Sequence, residues 1–365
     1  MTLTAGPAAS PGLDDQRVTA VNPLLSPALL RQEHPMSPEV AKTVGHGRAA
    51  TADVLAGRDD RVLVVVGPCS VHDPDVAMDY AQRLAREAAV VQDDVHVVMR
   101  VYFEKPRTAL GWKGLINDPE LDGSFAVNKG LRTARKLLLD IGSLGLPVGC
   151  EFLDPILSQF IADAVSWGAI GARTSASQVH RQLCSALPMP VGIKNSTEGD
   201  VQVAVDATRA AAAGHVFTGI TPDGVAALLT SAGNEDCHVI LRGGSTGPNH
   251  DPATVAATVT RLREANRPER LLIDASHGNS GKDHRRQAEV GGDVVARIAS
   301  GEPGIAGLML ESFLIAGRQD LELGNAYRLT YGQSITDPCL DWPTTTSLLH
   351  RLAAAVRSRR ATITR

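Results

Sequence analysis

No stretch of this chain approaches the ~20 consecutive apolar residues that a helix needs to cross a bilayer. Positive charge is not in excess either: 36 Lys and Arg stand against 40 Asp and Glu, a net charge of −4. A protein without a global basic field is a poor fit to nucleic acid or to an anionic membrane surface, so any anion must be bound locally. The five cysteines (69, 150, 184, 237 and 339) have no CxxC spacing, and their odd number in a 365-residue chain points to a reduced, cytoplasmic setting. The N-terminus lacks a basic start followed by an apolar block, so it does not read as a secretory signal. Lysine is scarce, seven against 29 arginines. Lys105, Lys113, Lys194 and Lys282 nevertheless fall inside motif-like segments, where a compact ammonium can do what a planar guanidinium cannot.

What the chain does contain is a set of short apolar runs that each end in a charged or metal-binding residue. They are VLVVVGPC (Cys69), VVMRVYFEKPR (Arg100, Lys105, Arg107), AIGAR (Arg173), VGIK (Lys194), VILR (Arg242), LLIDASH (His277) and GLMLES (Glu311). A parallel strand that delivers a functional residue at its C-terminal end has this form, and strands closed into a barrel would aim those ends into one cavity.

From Arg61 onward strand-like and helix-like segments alternate, the pattern of a parallel α/β fold. Strands are expected over 61–67, 95–103, 146–152, 168–173, 190–195, 215–220, 237–243, 270–276 and 304–311. Helices are expected between them, at 75–90, 127–141, 155–166, 177–187, 200–213, 252–266 and 283–300. A closed barrel takes eight strands, and 215–220 is the odd one out because it brings no charged residue to its end. A doubly wound open sheet is the rival, but no GxGxxG follows the first strand. Residues 1–60 read as an N-terminal extension: about 15 disordered residues, an apolar 24–31 able to dock, and a helix over 38–57. In that helix Ser37 is the N-cap, Pro38 the first residue and Gly57 the stop. Residues 61–345 form the barrel. A C-terminal helix over 345–359 and its tail complete the chain, the RSRR run reading as a solvated helix end.

Two constellations carry chemistry. Cys69, His277, Glu311 and Asp337 mix S, N and O donors, which suits Mn, Fe, Co or Zn rather than Mg or Ca. Arg100, Lys105, Arg107, Arg173, Lys194 and Arg242 are too many cations to bury without partners, and few acids share their segments. Phosphate and carboxylate groups of a ligand are natural occupants of such a set. RGGSTGP (242–248) offers glycine amides as a phosphate nest. Lys282, Arg285 and Arg286 either hold a second phosphate or are solvated. His72 reads as part of a loop entering a helix.

The segments GPCSVHDP (67–74), MRVYFEKPRTALGWKGLINDP (99–119), WGAIGARTSASQVHRQL (167–183), CHVILRGG (237–244), DASHGNSGK (274–282) and YGQSITDPCLDW (331–342) closely resemble type I 3-deoxy-D-arabino-heptulosonate 7-phosphate (DAHP) synthase. The likeness spans roughly residues 40–355. It implies a (β/α)8 TIM barrel with an N-terminal extension and a small β-hairpin inserted near 214–236. It also implies a metal-dependent transferase that condenses phosphoenolpyruvate (PEP) with erythrose 4-phosphate in the shikimate pathway.

By that resemblance the metal ligands are Cys69, His277, Glu311 and Asp337, holding Mn2+ or, alternatively, Fe2+, Co2+ or Zn2+. PEP is held by Arg100, Lys105, Arg173, Lys194 and Arg242 with the backbone of Gly171 and Ala172. Glu151 binds the reacting water, and Arg107 and Thr108 receive erythrose 4-phosphate; on chemical grounds Lys105, able to reach both the PEP oxygens and the aldehyde, is the candidate proton donor. A homodimer or homotetramer follows from the same likeness, as does an aromatic amino acid effector. Pro188, where the family has Ser, leads us to expect weak or altered feedback. The alternatives are a sister enzyme of the 3-deoxy-octulosonate 8-phosphate synthase type, a non-catalytic regulatory paralog, and a generic metal-dependent aldolase.

Overall fold

The computed structural model describes residues 15–107 and 110–363. Thr108, and nearly all of the N-terminal segment expected to be disordered, lie outside the described residues. The described residues open with α1 (Pro27–Glu33) and α2 (Pro38–Ala56). The Ser37 hydroxyl accepts from the Val40 amide, Pro38 begins α2, and Gly57 ends it with a φ of 75°, as the sequence anticipates. Leu30 is fully buried and Arg31 donates to the Gln159 carbonyl, so α1 is docked.

There follow β1 (Val62–Gly67), α3 (Pro74–Val91), β2 (Val95–Arg100), α4 (Val127–Ser143), β3 (Val148–Glu151), α5 (Ser158–Ile161), β4 (Trp167–Ile170), α6 (Gln178–Ala186), β5 (Val191–Lys194) and α7 (Gln202–Ala211). The second half comprises β6 (Val216–Ile220), β7 (Ala226–Thr230), β8 (His238–Leu241), α8 (Pro252–Glu264), β9 (Leu271–Asp274), α9 (His277–Ser280), α10 (His284–Ala299), β10 (Ile305–Glu311) and α11 (Trp342–Ile363).

Eight parallel strands close into a barrel in the order β1-β10-β9-β8-β5-β4-β3-β2. The ninth expected strand, 215–220, is instead one arm of an antiparallel hairpin, β6–β7, outside the barrel. Its alternation of exposed and half-buried residues contrasts with the wholly buried barrel strands. Period-two alternation sorts the barrel residues. Leu63, Val65, Val98, Trp167, Ile240, Leu272 and Met309 fill the interior, while Val62, Val64, Val66 and Val97 meet the helices. Trp167 fits because Gly149 and Gly192 yield space: a Cβ there would come within 2.9 and 2.7 Å of its ring.

Two expectations change. The helix over 155–166 shrinks to α5 and a 3-10 turn (Ala162–Ala164), because the Asp154 carboxylate first captures the amides of Ile156 and Leu157 in a turn. The basic C-terminal run is also more than a solvated end. Arg357 pairs with Asp94, and Arg360 lies 2.6 Å from both Asp60 and Asp94, tying α11 to the barrel's N-terminal rim.

Candidate active site

The register of the barrel brings its strand ends to one level, with Gly67 opposite Glu311 and Val66 opposite Met99. Arg100, Glu151, Lys194 and Glu311 are the last residues of β2, β3, β5 and β10, and Arg242 directly follows β8. Their side chains converge on a cavity of about 230 Å3. It is lined by Arg100, Lys105, Arg107, Glu151, Gly171, Ala172, Arg173, Lys194, Arg242, His277 and Asp337, joined by Pro106, Thr197 and Lys282. Cys69 and Glu311 lie fully buried beside it.

Donor atoms of Cys69, Glu311 and Asp337 lie within 4.8 Å of one another, and His277 Nε2 borders the group 3.5 Å from Glu311 Oε1. Lys105 reaches into the same cluster, its Nζ 2.8 Å from Cys69 Sγ and 3.3 Å from Asp337 Oδ2. The donor set therefore already accommodates a positive charge, and its S, N and O composition fits a divalent transition ion. Burial would raise the Glu311 carboxyl, but His277, Arg100 and Lys105 hold it below its ordinary value. Asp337 is likewise pushed up by burial yet held far down by Lys105, His277 and Lys282. Burial also lowers the His277 ring, against the opposing pull of Asp274. The Cys69 thiol is raised by burial and by Glu311, so a bound cation would have to draw off its proton.

Arg100 is 1% exposed and almost entirely occupied by protein. Its Nε donates to the Pro68 carbonyl, and one terminal nitrogen donates to the Cys69 carbonyl and to Glu311 Oε1 at 2.9 Å. The guanidinium stacks 3.6 Å above the Tyr102 ring. It thus braces Cys69 and Glu311 while facing the cavity.

Across the cavity, seven cationic side chains face two lining carboxylates, Glu151 and Asp337, among the described residues. Arg242 is held below its ordinary pKa by burial, with Arg173 adding repulsion. Two guanidiniums this close suit a ligand with several negative charges. Arg107 is anchored through its Nε to the Trp112 carbonyl. Glu151 needs Gly171 opposite it, since a Cβ there would fall 2.3 Å from Glu151 Oε1.

Some readings do not hold. The glycine amides of 242–248 are no phosphate nest: Gly243 donates to Asn249 Oδ1 and Gly244 to the Gly247 carbonyl. Lys282 is half exposed at the cavity mouth and pairs with Asp337 Oδ1 at 3.1 Å, while Arg285 and Arg286 do not line the cavity. His72 packs edge-on against Phe313 and lines a different cavity, as its reading as a loop residue allows.

The sequence reading overlooked the residues that aim the others. Asp274 ends β9, fully buried, 2.9 Å from Lys194 Nζ and 2.8 Å from His277 Nδ1. Asn195, Asn249 and Asn279 form a buried chain of amides. Asn195 accepts from the Arg242 amide and from Asn249, Asn249 donates its own amide to Asn279, and Asn279 donates to the carbonyls of Leu241 and Asp274. Gln287 clamps Glu311 through both its amide and its carbonyl. An Asp three residues before a His at a strand end was the one signal available for any of these.

Comparison with known proteins agrees with the fold. The model of the DAHP synthetase I family matches residues 35–350. A phospho-2-dehydro-3-deoxyheptonate aldolase from Corynebacterium glutamicum is 54% identical over 352 residues, 95% of each chain. The Phe-sensitive phospho-2-dehydro-3-deoxyheptonate aldolase of Escherichia coli is 51% identical over 347 residues, covering 95% of this chain and 98% of that one. The structure of phospho-2-dehydro-3-deoxyheptonate aldolase from Francisella tularensis superposes with a TM-score of 0.91 at 47% identity, covering 94% of this chain and 99% of that chain. The chain belongs to the DAHP synthetase I family.

Proposed function

We propose that this cavity condenses PEP with D-erythrose 4-phosphate to give DAHP and inorganic phosphate, the first step of the shikimate pathway. The observation that carries the reading is the excess of cations in one barrel-mouth cavity beside a thiol–imidazole–carboxylate set. PEP brings a phosphate and a carboxylate and the aldose brings a second phosphate, so the ligands supply the missing negative charge.

Arg173, Lys194 and Arg242, with the Gly171 and Ala172 backbone, would hold PEP, and Arg100 and Lys105 would face its other side. Arg107, with Thr108, would receive the aldose phosphate. Fixing both substrates by their anions sets C3 of PEP against the aldehyde carbon, and such positioning is worth several kcal/mol of barrier. As the C3–C1 bond forms, the Lys105 ammonium delivers a proton to the aldehyde oxygen. Glu151 orients the water that adds to C2. The C2–O bond to phosphate then breaks, leaving the ketone of DAHP. Cys69, His277, Glu311 and Asp337 would hold the divalent metal, Mn2+ first among the candidates. When bound, that ion supplies Lewis-acid polarisation of the aldehyde.

Metal-stripped protein resupplied with Mn2+ tests the reading, with PEP absorbance and released phosphate followed together. Metal-dependent loss of PEP with equimolar phosphate supports it. Turnover with arabinose 5-phosphate but not erythrose 4-phosphate would replace it with the sister reaction.

No helix among the described residues is long and apolar enough to cross a membrane, and we place the enzyme in the cytoplasm. Val216 and Leu228 stand exposed on the hairpin, with Val225 in its turn, which supports a homodimer or homotetramer built on that face. Beside the hairpin lies an apolar cavity of about 330 Å3 that would take an aromatic amino acid effector, with feedback weak or altered.

A further inference from the structure

The two halves of the site, cations for PEP and donors for the metal, are joined by one side chain that the reaction itself does not require. We propose that Asp274 is a positioning residue that anchors Lys194 and His277 to a single buried carboxylate, fixing the imidazole so that Nε2 faces the metal donors. The proposal rests on the reading of Cys69, His277, Glu311 and Asp337 as a metal site.

Asp274 is 0% exposed. One oxygen, Oδ1, accepts from the Ser276 amide at 2.9 Å and from the Ser276 hydroxyl at 2.7 Å, which fixes the plane of the carboxylate. The other, Oδ2, has no well-aligned hydrogen bond, yet lies 2.9 Å from Lys194 Nζ and 2.8 Å from His277 Nδ1. It is shared between them.

An anion at Nδ1 keeps the ring proton on that nitrogen and leaves the Nε2 lone pair free. Nε2 then faces Glu311 Oε1, 3.5 Å away. The Ser276 hydroxyl, 2.6 Å from the same Nδ1, closes the arrangement. The backbone at His277 has a φ of 52°, a region that L residues rarely adopt, so the surroundings must hold the ring in place. Lys194 is 3% exposed and needs a counter-charge that Asp274 supplies. The ammonium is thereby held at the end of β5, facing the cavity.

The test is Mn2+ affinity, read from the electron paramagnetic resonance of the free ion, independently of turnover. Wild-type protein and Cys69→Ala establish the site: binding in the first and its loss in the second are the reference. Asp274→Asn keeps the shape and removes the charge. It is expected to fold, by circular dichroism, and to bind Mn2+ roughly 10- to 100-fold more weakly. Lys194→Met leaves the contact with His277 and is expected to bind within about threefold of wild type. Folded Asp274→Asn with wild-type affinity overturns the proposal. Should Asp274→Asn fail to fold, Ser276→Ala decides: it removes a hydroxyl and no charge, weakened binding supports the anchor, and unchanged binding overturns it. If wild-type protein binds no Mn2+, or Cys69→Ala binds it as well, the metal-site reading falls and takes the proposal with it.

Discussion

The Lys105 ammonium lies 2.8 Å from the Cys69 sulfur, inside the same donor cluster that is read as the metal site. The proposed proton donor and a proposed metal ligand are therefore neighbours, and the two roles should be separable by mutation. Cys69→Ala should abolish Mn2+ binding and metal-dependent turnover together. Lys105→Met should lower kcat about 100-fold or more, in line with loss of a positioned acid. It should leave Mn2+ affinity unchanged or tighter, since the ammonium competes for the thiolate and for Asp337. Titrating Mn2+ against both variants checks this. Weaker metal binding in Lys105→Met would show that the ammonium supports the ligand set.

Gly171→Ala should act through Glu151. The added methyl would stand 2.3 Å from Glu151 Oε1, so the carboxylate must move. Glu151 is 9% exposed and has little room. The expected outcome is a fall in kcat of at least about tenfold, the scale of a misplaced general-base contact, with a near-native melting temperature. Wild-type kcat would mean that Glu151 does not position the water.

Glu104 supplies a pH dependence outside the donor cluster. Burial pushes its carboxyl up to about 8, from an ordinary 4.5, despite weak hydrogen bonds from the Leu153 and Asp154 amides. Between those values the folded protein keeps a proton that the unfolded chain has released. Stability from this group is thus present below pH 4.5 and lost as pH rises toward 8, by up to about 1.4 kcal/mol per unit. Glu104→Gln, whose amide imitates the neutral acid, should gain on wild type as pH rises. Urea midpoints of both proteins at pH 5 and pH 8 measure it, and a gap that narrows in the opposite direction refutes it.

The barrel and its catalytic rim were legible because each strand writes its own signal: an apolar run, then a charge. Arg100, Lys194, Arg242 and Glu311 needed only closure of the sheet to meet. The hairpin was legible only by resemblance, because β6 and β7 bury one face weakly and end in no functional residue. The amide chain through Asn195, Asn249 and Asn279 left no trace, since its partners are backbone groups on other loops and hydrogen bonds to backbone impose no sequence pattern. The fate of the 242–248 glycine amides was hidden for the same reason. Asn249, which occupies the Gly243 amide, looks like any loop asparagine until the fold is closed.

Micromolar Phe or Tyr should change turnover by less than about twofold, because the cavity beside the hairpin can bury a ring but offers a zwitterion no charged partner, so an aromatic amino acid binds there only weakly. Ile156, Leu183, Phe217 and Leu229 line it, and an aromatic side chain would bury well among them. Among the described residues no charged side chain lines it, and its polar groups are Gln159, Gln182 and Thr218. An amino acid entering ring-first would keep its ammonium and carboxylate near apolar walls without opposite charges to meet them, which costs binding free energy. An uncharged aromatic, such as phenylpropionamide, should therefore bind no worse than Phe. The check is turnover at fixed PEP and erythrose 4-phosphate across a titration of Phe, Tyr and Trp, with isothermal calorimetry of Phe against the amide. Sharp inhibition at micromolar Phe would show that charged groups from a second copy complete the cavity in the assembled enzyme.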